Sequence, residues 1–136
     1  EEDENENTGN ERKTEFKFGG TPGYMAPEIF DSDFVLAIER EEFKPDEKCD
    51  IFSLSIIFWQ IFNEAKWPFP NYLKGKELMQ EVTKNNLRPQ FKEKFFNKEF
   101  QNLFEEMWQN NPEKRPKIEE ILNFLEKLNF ENINQD

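Results

Sequence analysis

The side chains able to do chemistry in this sequence are few, and their types exclude more than they permit. Histidine is absent, so no imidazole base, His-held metal or His-based triad can form. A single cysteine, Cys49, excludes an internal disulfide and a cysteine-built metal site, and it fits a reducing compartment. What remains is a shaped loop and a solitary acid. The loop, Gly19-Gly20-Thr21-Pro22-Gly23-Tyr24-Met25-Ala26-Pro27-Glu28, holds three glycines and two prolines in ten residues. Such a run is neither helix nor strand. The acid is Asp50, which opens an otherwise uncharged stretch.

That stretch, residues 50–62, organises the chain. Nine of its thirteen residues are apolar and fall on every side of a helical projection. A helix of this kind must be surrounded by protein or lipid, and thirteen residues fall short of the roughly 20 that span a bilayer. The sequence therefore predicts a central helix with Asp50 in its first turn, where a carboxylate suits the positive end of the helix dipole. Ser53 and Ser55 are expected to satisfy their hydroxyls locally.

Around it the chain divides by composition. Residues 1–15 contain seven acids, two bases and no apolar side chain, the composition of a disordered acidic arm. Phe16 and Phe18 then alternate with Lys17, and Pro27-Glu28 reads as a short helix start. Residues 31–48 form a charged connector with a possible short helix at 34–38, and Pro45-Asp46 turns into the central helix. Trp67-Pro68-Phe69-Pro70 cannot be helical. A weak helix is expected around 76–82, with Leu78, Met79 and Val82 on one side, and Leu87-Arg88-Pro89 is extended. Asn97 caps a clearer helix whose Phe100, Leu103, Phe104, Met107 and Trp108 keep helical spacing up to Asn110-Asn111-Pro112. The last helix is expected to open at Pro116, with Ile118, Ile121, Leu122, Leu125 and Leu128 on one face and a polar tail at 131–136.

The totals agree with one mainly α domain. The chain has 136 residues, and its net charge of -11 disfavours nucleic acid and anionic membrane surfaces. Sixteen phenylalanines supply a core for most of the chain. No signal peptide or transmembrane run is present, the expectation for an intracellular protein.

Three segments, in order, resemble the second half of a eukaryotic protein kinase catalytic domain. Gly20-Thr21-Pro22-Gly23-Tyr24-Met25-Ala26-Pro27-Glu28 is similar to the end of the activation segment. Asp50-Ile51-Phe52-Ser53-Leu54-Ser55 is similar to the start of the family's F helix, usually Asp-x-Trp-Ser-x-Gly. Asn111-Pro112-Glu113-Lys114-Arg115-Pro116 is similar to the segment before its last helix. The resemblance spans about residues 16–128. The Gly-Thr opening looks like Ser/Thr kinases, and the last two helices are similar to the tyrosine-kinase-like group. It implies an incomplete, mainly α C-terminal lobe of a domain that is α+β when whole, over residues 16–130. It also implies roles. Gly20, Thr21, Pro22, Gly23 and Tyr24 would form the wall where a protein substrate docks. Glu28 would pair with Arg115, Asp50 would hold the catalytic loop through its backbone N–H groups, and Thr14 lies where activation segments are phosphorylated.

The departures set the functional expectation. The glycine-rich loop, strand lysine, catalytic-loop aspartate and Asp-Phe-Gly metal ligand of kinases do not occur here. Ser55 and Phe52 replace the usual glycine and tryptophan. The resemblance thus implies part of a Ser/Thr kinase that carries no catalytic residue, metal, ATP or Mg²⁺ of its own. Part of the surface of residues 50–62 would be left for a partner, such as the upstream kinase half, and the oligomeric state is open. The alternative is a stand-alone, catalytically dead kinase-like module that binds a protein. Without the resemblance, the loop is an ordinary turn in a helical adaptor, Asp50 a helix-start acid, Glu28 and Arg115 surface charges, and Cys49 an inert, partly buried thiol.

Overall fold

Asp46 decides where the central helix begins. Its backbone is extended and its carboxylate accepts the Lys48 N–H at 2.9 Å, an N-cap that starts the helix at Glu47, ahead of the apolar run. The structure is a computed structural model that describes residues 20–30, 40, 46–92 and 97–133, with side chains as far as Leu128. In order come α1 (Pro27–Phe30), α2 (Glu47–Phe62), α3 (Gly75–Lys84), α4 (Lys98–Met107), the 3-10 turn Pro112–Lys114 and α5 (Ile118–Ile133). Among the described residues there is no strand, so the mainly α expectation holds. The acidic arm at 1–15 with Thr14, the pair Phe16 and Phe18, and the short helix expected at 34–38 lie outside the described residues.

α2 is the hub. It buries Cys49, Ile51, Phe52, Ser55, Ile56 and Trp59, and α4 packs along it. The helical spacing in α4 places Leu103, Phe104 and Met107 in the core, where the Phe104 ring lies 6.0 Å from Phe58 and 6.4 Å from Phe91. Asn97 caps α4 by accepting the Glu99 N–H at 2.8 Å. α3 is longer than expected at both ends, and it turns Leu78, Met79 and Val82 inward next to α1. No helix among the described residues is long and apolar enough to cross a membrane.

Four local expectations need correction. α4 stops at Met107 rather than running to Asn110, and the carbonyls that follow are capped by arginines: Arg88 donates to that of Trp108 and Arg115 to that of Gln109, both at 2.8 Å. The last helix opens at Ile118 and not at Pro116, since Arg115 is extended between it and the 3-10 turn. Its apolar stripe is also wider than its contacts: Ile121 is buried, with Phe124 and Leu125 against the core, while Ile118 and Leu122 are exposed. Finally, Ser55 bonds the nearby Phe52 carbonyl, but the shorter bond of Ser53 leaves the helix, reaching the Tyr24 carbonyl at 2.6 Å against 3.3 Å to Cys49. That bond ties the front loop to the hub.

Candidate functional site

The front loop is a turn closed by the Tyr24 N–H on the Thr21 carbonyl at 3.1 Å. Gly23 sits in it at φ 99°, and a Cβ there would meet the Trp67 ring at 2.6 Å. Only glycine satisfies both the backbone and the neighbour. Tyr24 is held at two points. Its hydroxyl donates to Gln60 Oε1 at 2.7 Å, and its carbonyl accepts from Ser53. Its ring meets Trp67 edge-on at 5.7 Å, and Trp67 meets Phe69 in the same way at 5.6 Å. Gly20 and Thr21 remain exposed. The loop is thus fixed from behind and open in front.

Glu28 anchors the other end of the loop. Its two carboxylate oxygens accept from Arg115 Nη1 at 2.6 Å and Nη2 at 2.8 Å, with side-chain exposures of 11% and 0%. The remaining Arg115 donors reach the carbonyls of Lys48 at 2.8 Å, Gln109 at 2.8 Å and Asn110 at 3.3 Å. Lys48 Nζ returns a bond to the Arg115 carbonyl. A buried, bidentate pair whose spare donors are all used avoids the uncompensated desolvation that weakens most buried ion pairs. These are not surface charges. Cys49 donates to Glu28 Oε1 at 3.3 Å, and burial, then the Glu28 carboxylate, pushes its thiol up to about 12. Such a thiol stays protonated and is a poor nucleophile.

Sequence reasoning missed Arg88. The rule applied there, that the residue before proline is extended, concerns only the backbone. Arg88 donates to the carbonyls of Val82 at 2.9 Å, Leu87 at 2.8 Å and Trp108 at 2.8 Å, and to the Asn110 side chain. It therefore closes the C-terminal ends of both α3 and α4, where carbonyls carry partial negative charge. Burial, with Arg115 nearby, pulls its pKa down to about 10. Both guanidiniums lie over the Phe52 ring, Arg88 at 5.1 Å and Arg115 at 5.2 Å. A basic residue just beyond a helix end was the available signal.

Asp50 stands apart. It is exposed in the first turn of α2, and among the described residues no hydrogen bond or ion pair joins it to the loop or to the clamp. It heads a row at helical spacing: Leu54 is half-buried, and Ile57 and Ile61 are 44% and 68% exposed. The described residues bring no three Cys, Asp or Glu side chains together as metal ligands.

The model of the family described as "Protein kinase domain" matches residues 5–124. The chain belongs to the protein kinase family. The match begins within the acidic stretch and takes in the loop, the clamp and the first two turns of α5. Among relatives, the chain is 29% identical over 109 residues to the dual specificity protein kinase shkA of Dictyostelium discoideum, covering 80% of this chain and 18% of that protein. It is 29% identical to human mitogen-activated protein kinase kinase kinase 7, over 80% of this chain and 16% of that protein. With the serine/threonine-protein kinase STY17 of Arabidopsis thaliana the figure is 31%, over 80% and 17%. The chain thus spans less than a fifth of the length of these relatives. Its helices form a mainly α C-terminal-lobe portion of a kinase catalytic domain.

Proposed function

We propose that the chain is the substrate-docking and scaffolding part of a Ser/Thr protein kinase, which transfers the γ-phosphate of ATP to a protein hydroxyl. ATP and Mg²⁺ belong to segments of the kinase other than these. In this reading Gly20, Thr21, Pro22, Gly23 and Tyr24 form the wall along which the substrate lies. The Glu28–Arg115 pair keeps the wall in register with the helices, and a phosphate on Thr14 is a possible control. The partners are the protein substrate and the rest of the kinase.

The observation that carries the reading is the row Asp50, Leu54, Ile57 and Ile61. An exposed acid with no partner among the described residues, at the head of an exposed apolar row, suits a face that receives further polypeptide. The carboxylate would take backbone N–H groups of the catalytic loop, and the isoleucines would be covered beside it. The test uses labelled ATP and a generic Ser/Thr protein substrate. The 136-residue chain alone is expected to transfer no phosphate. The full-length protein carrying it is expected to label serine or threonine, and Asp50→Ala is expected to cut that rate by about tenfold or more. Full activity in the Asp50→Ala protein removes the role given to that residue. Transfer by the chain alone removes the whole reading.

The same row supports a second reading, a catalytically dead kinase-like module that binds a protein through Ile57 and Ile61. Absence of any phosphotransfer from the full-length protein would favour it.

A further inference from the structure

Arg115 can hold Glu28 only while its own acceptors stay in place, and two of the carbonyls it uses belong to the short segment after α4. They are those of Gln109 at 2.8 Å and Asn110 at 3.3 Å. Both residues are exposed, so burial of their own side chains does not fix them. Arg88 does. It donates to the Trp108 carbonyl at 2.8 Å on one side of Gln109 and to the Asn110 side chain on the other. Its third nitrogen is held on the Val82 carbonyl at 2.9 Å, inside α3. The segment 108–110 is thus gripped twice by one planar guanidinium, whose fork fixes the direction of each bond. Its remaining two carbonyls go to Arg115.

A second route joins the same two arginines. The Phe52 ring, fully buried in α2, lies 5.1 Å from the Arg88 guanidinium and 5.2 Å from that of Arg115. Each cation is attracted to the ring, so the ring restricts where either can sit. Among the described residues no hydrogen bond joins Arg88 to Glu28 or to the front loop. Its influence there passes through the clamp. Arg115 and the Glu28 carboxylate in turn act on the Arg88 charge, in opposite senses.

We propose that Arg88 is a positioning residue for the front loop. By gripping residues 108–110 and sharing the Phe52 ring, it keeps Arg115 in line with Glu28, and so keeps residues 20–24 where a protein substrate meets them. This rests on the reading of that loop as the docking wall. Loss of Arg88 slackens the carbonyls that Arg115 uses and lets the Glu28 end of the loop shift. The protein substrate senses that shift; ATP, which the same reading assigns to other segments, does not.

The experiment uses the full-length protein carrying this chain, labelled ATP and a generic Ser/Thr protein substrate. Arg88→Met is expected to raise KM for the protein substrate about fivefold, with kcat and KM for ATP within about twofold of wild type. In a Glu28→Gln background, where the clamp is already weakened, the same substitution is expected to raise that KM by less than about twofold. Should Arg88→Met fail to fold, Asn110→Ala carries the same test, since it removes one acceptor of Arg88 at an exposed position. A merely structural role lowers the amount of active enzyme. It would show as a fall in kcat with both KM values unchanged, and that result overturns the proposal while the docking reading stands. An equal rise in KM with and without Glu28→Gln overturns the transmission through the clamp. No labelling of the substrate by wild type overturns both the proposal and the docking reading.

Discussion

On one face of α2, Cys49, Phe52, Ser53, Ile56, Trp59 and Gln60 are buried or bonded to another element. On the other, Asp50, Ile57 and Ile61 are exposed and Leu54 is half-buried. The two faces differ in kind as well as in burial. The first meets polar groups that this chain itself supplies. Ser53 holds the Tyr24 carbonyl, Gln60 holds its hydroxyl, and Trp59 donates to the Gln90 carbonyl at 3.1 Å. The second has an acid and apolar side chains with few partners among the described residues. A face whose polar atoms are already satisfied is finished; one that leaves apolar area in water retains free energy for a later contact. Folding of the described part thus uses one side of α2, and the proposed completion of the kinase would use another.

Substitutions on the finished side should cost most. Arg115→Ala strands the Glu28 carboxylate and three carbonyls, so urea unfolding should show a loss of about 3–5 kcal/mol. Paired with Glu28→Ala in a double-mutant cycle, it should show coupling well above the roughly 0.5 kcal/mol of independent sites. Additive losses would break the comparison at its strongest point. Arg115→Lys should recover little, since an ammonium cannot reproduce the two-pronged contact.

Gly23→Ala comes next, at about 2–3 kcal/mol in the same assay. It forces a side chain into a left-handed φ and against Trp67, and a paired Trp67→Ala should relieve only the second part. Cys49 gives a smaller effect, confined to alkaline pH. Its folded pKa of about 12 lies above the ordinary 9.0, so the folded state keeps a proton that the unfolded chain releases. The associated stability is full below pH 9 and declines as pH rises towards 12. Arg88 acts in the opposite sense, because its folded value of about 10 lies below 12.5, and its deprotonation over that interval favours the folded chain. The unfolding midpoint of wild type should therefore fall relative to Cys49→Ala from about pH 8 to about pH 11; parallel curves would mean that neither burial nor Glu28 raises the thiol. Smallest of all, Ile61→Gln should change the stability of this chain by under about 0.5 kcal/mol. A large loss there would show that the open face is already part of the fold.

Much of the arrangement was legible in the residues. The central helix, the cap at Asn97 and the inward faces of α3 and α4 follow from spacing and side-chain chemistry, which act over one or two turns of chain. The bond of Ser53 to Tyr24 was not legible, because nothing local prefers a carbonyl 29 positions away over one in the preceding turn. The junction between α4 and α5 was misjudged because Arg88, twenty positions before Trp108, bonds its carbonyl, and because Arg115 is held extended by its bonds to Glu28 and Lys48.

By itself, then, the sequence determined which segments are helical, which residues shape the front loop, and that neither a histidine-based nor a disulfide-based chemistry belongs here. Those properties depend on residue type and short-range geometry. Tertiary structure alone decided that Arg88 would serve two helix ends, that Trp67 would be seated on Gly23, and that Cys49 would lie against Glu28. Each of these joins groups distant in the chain through directional bonds or close packing, and such contacts exist only once the helices have been brought together.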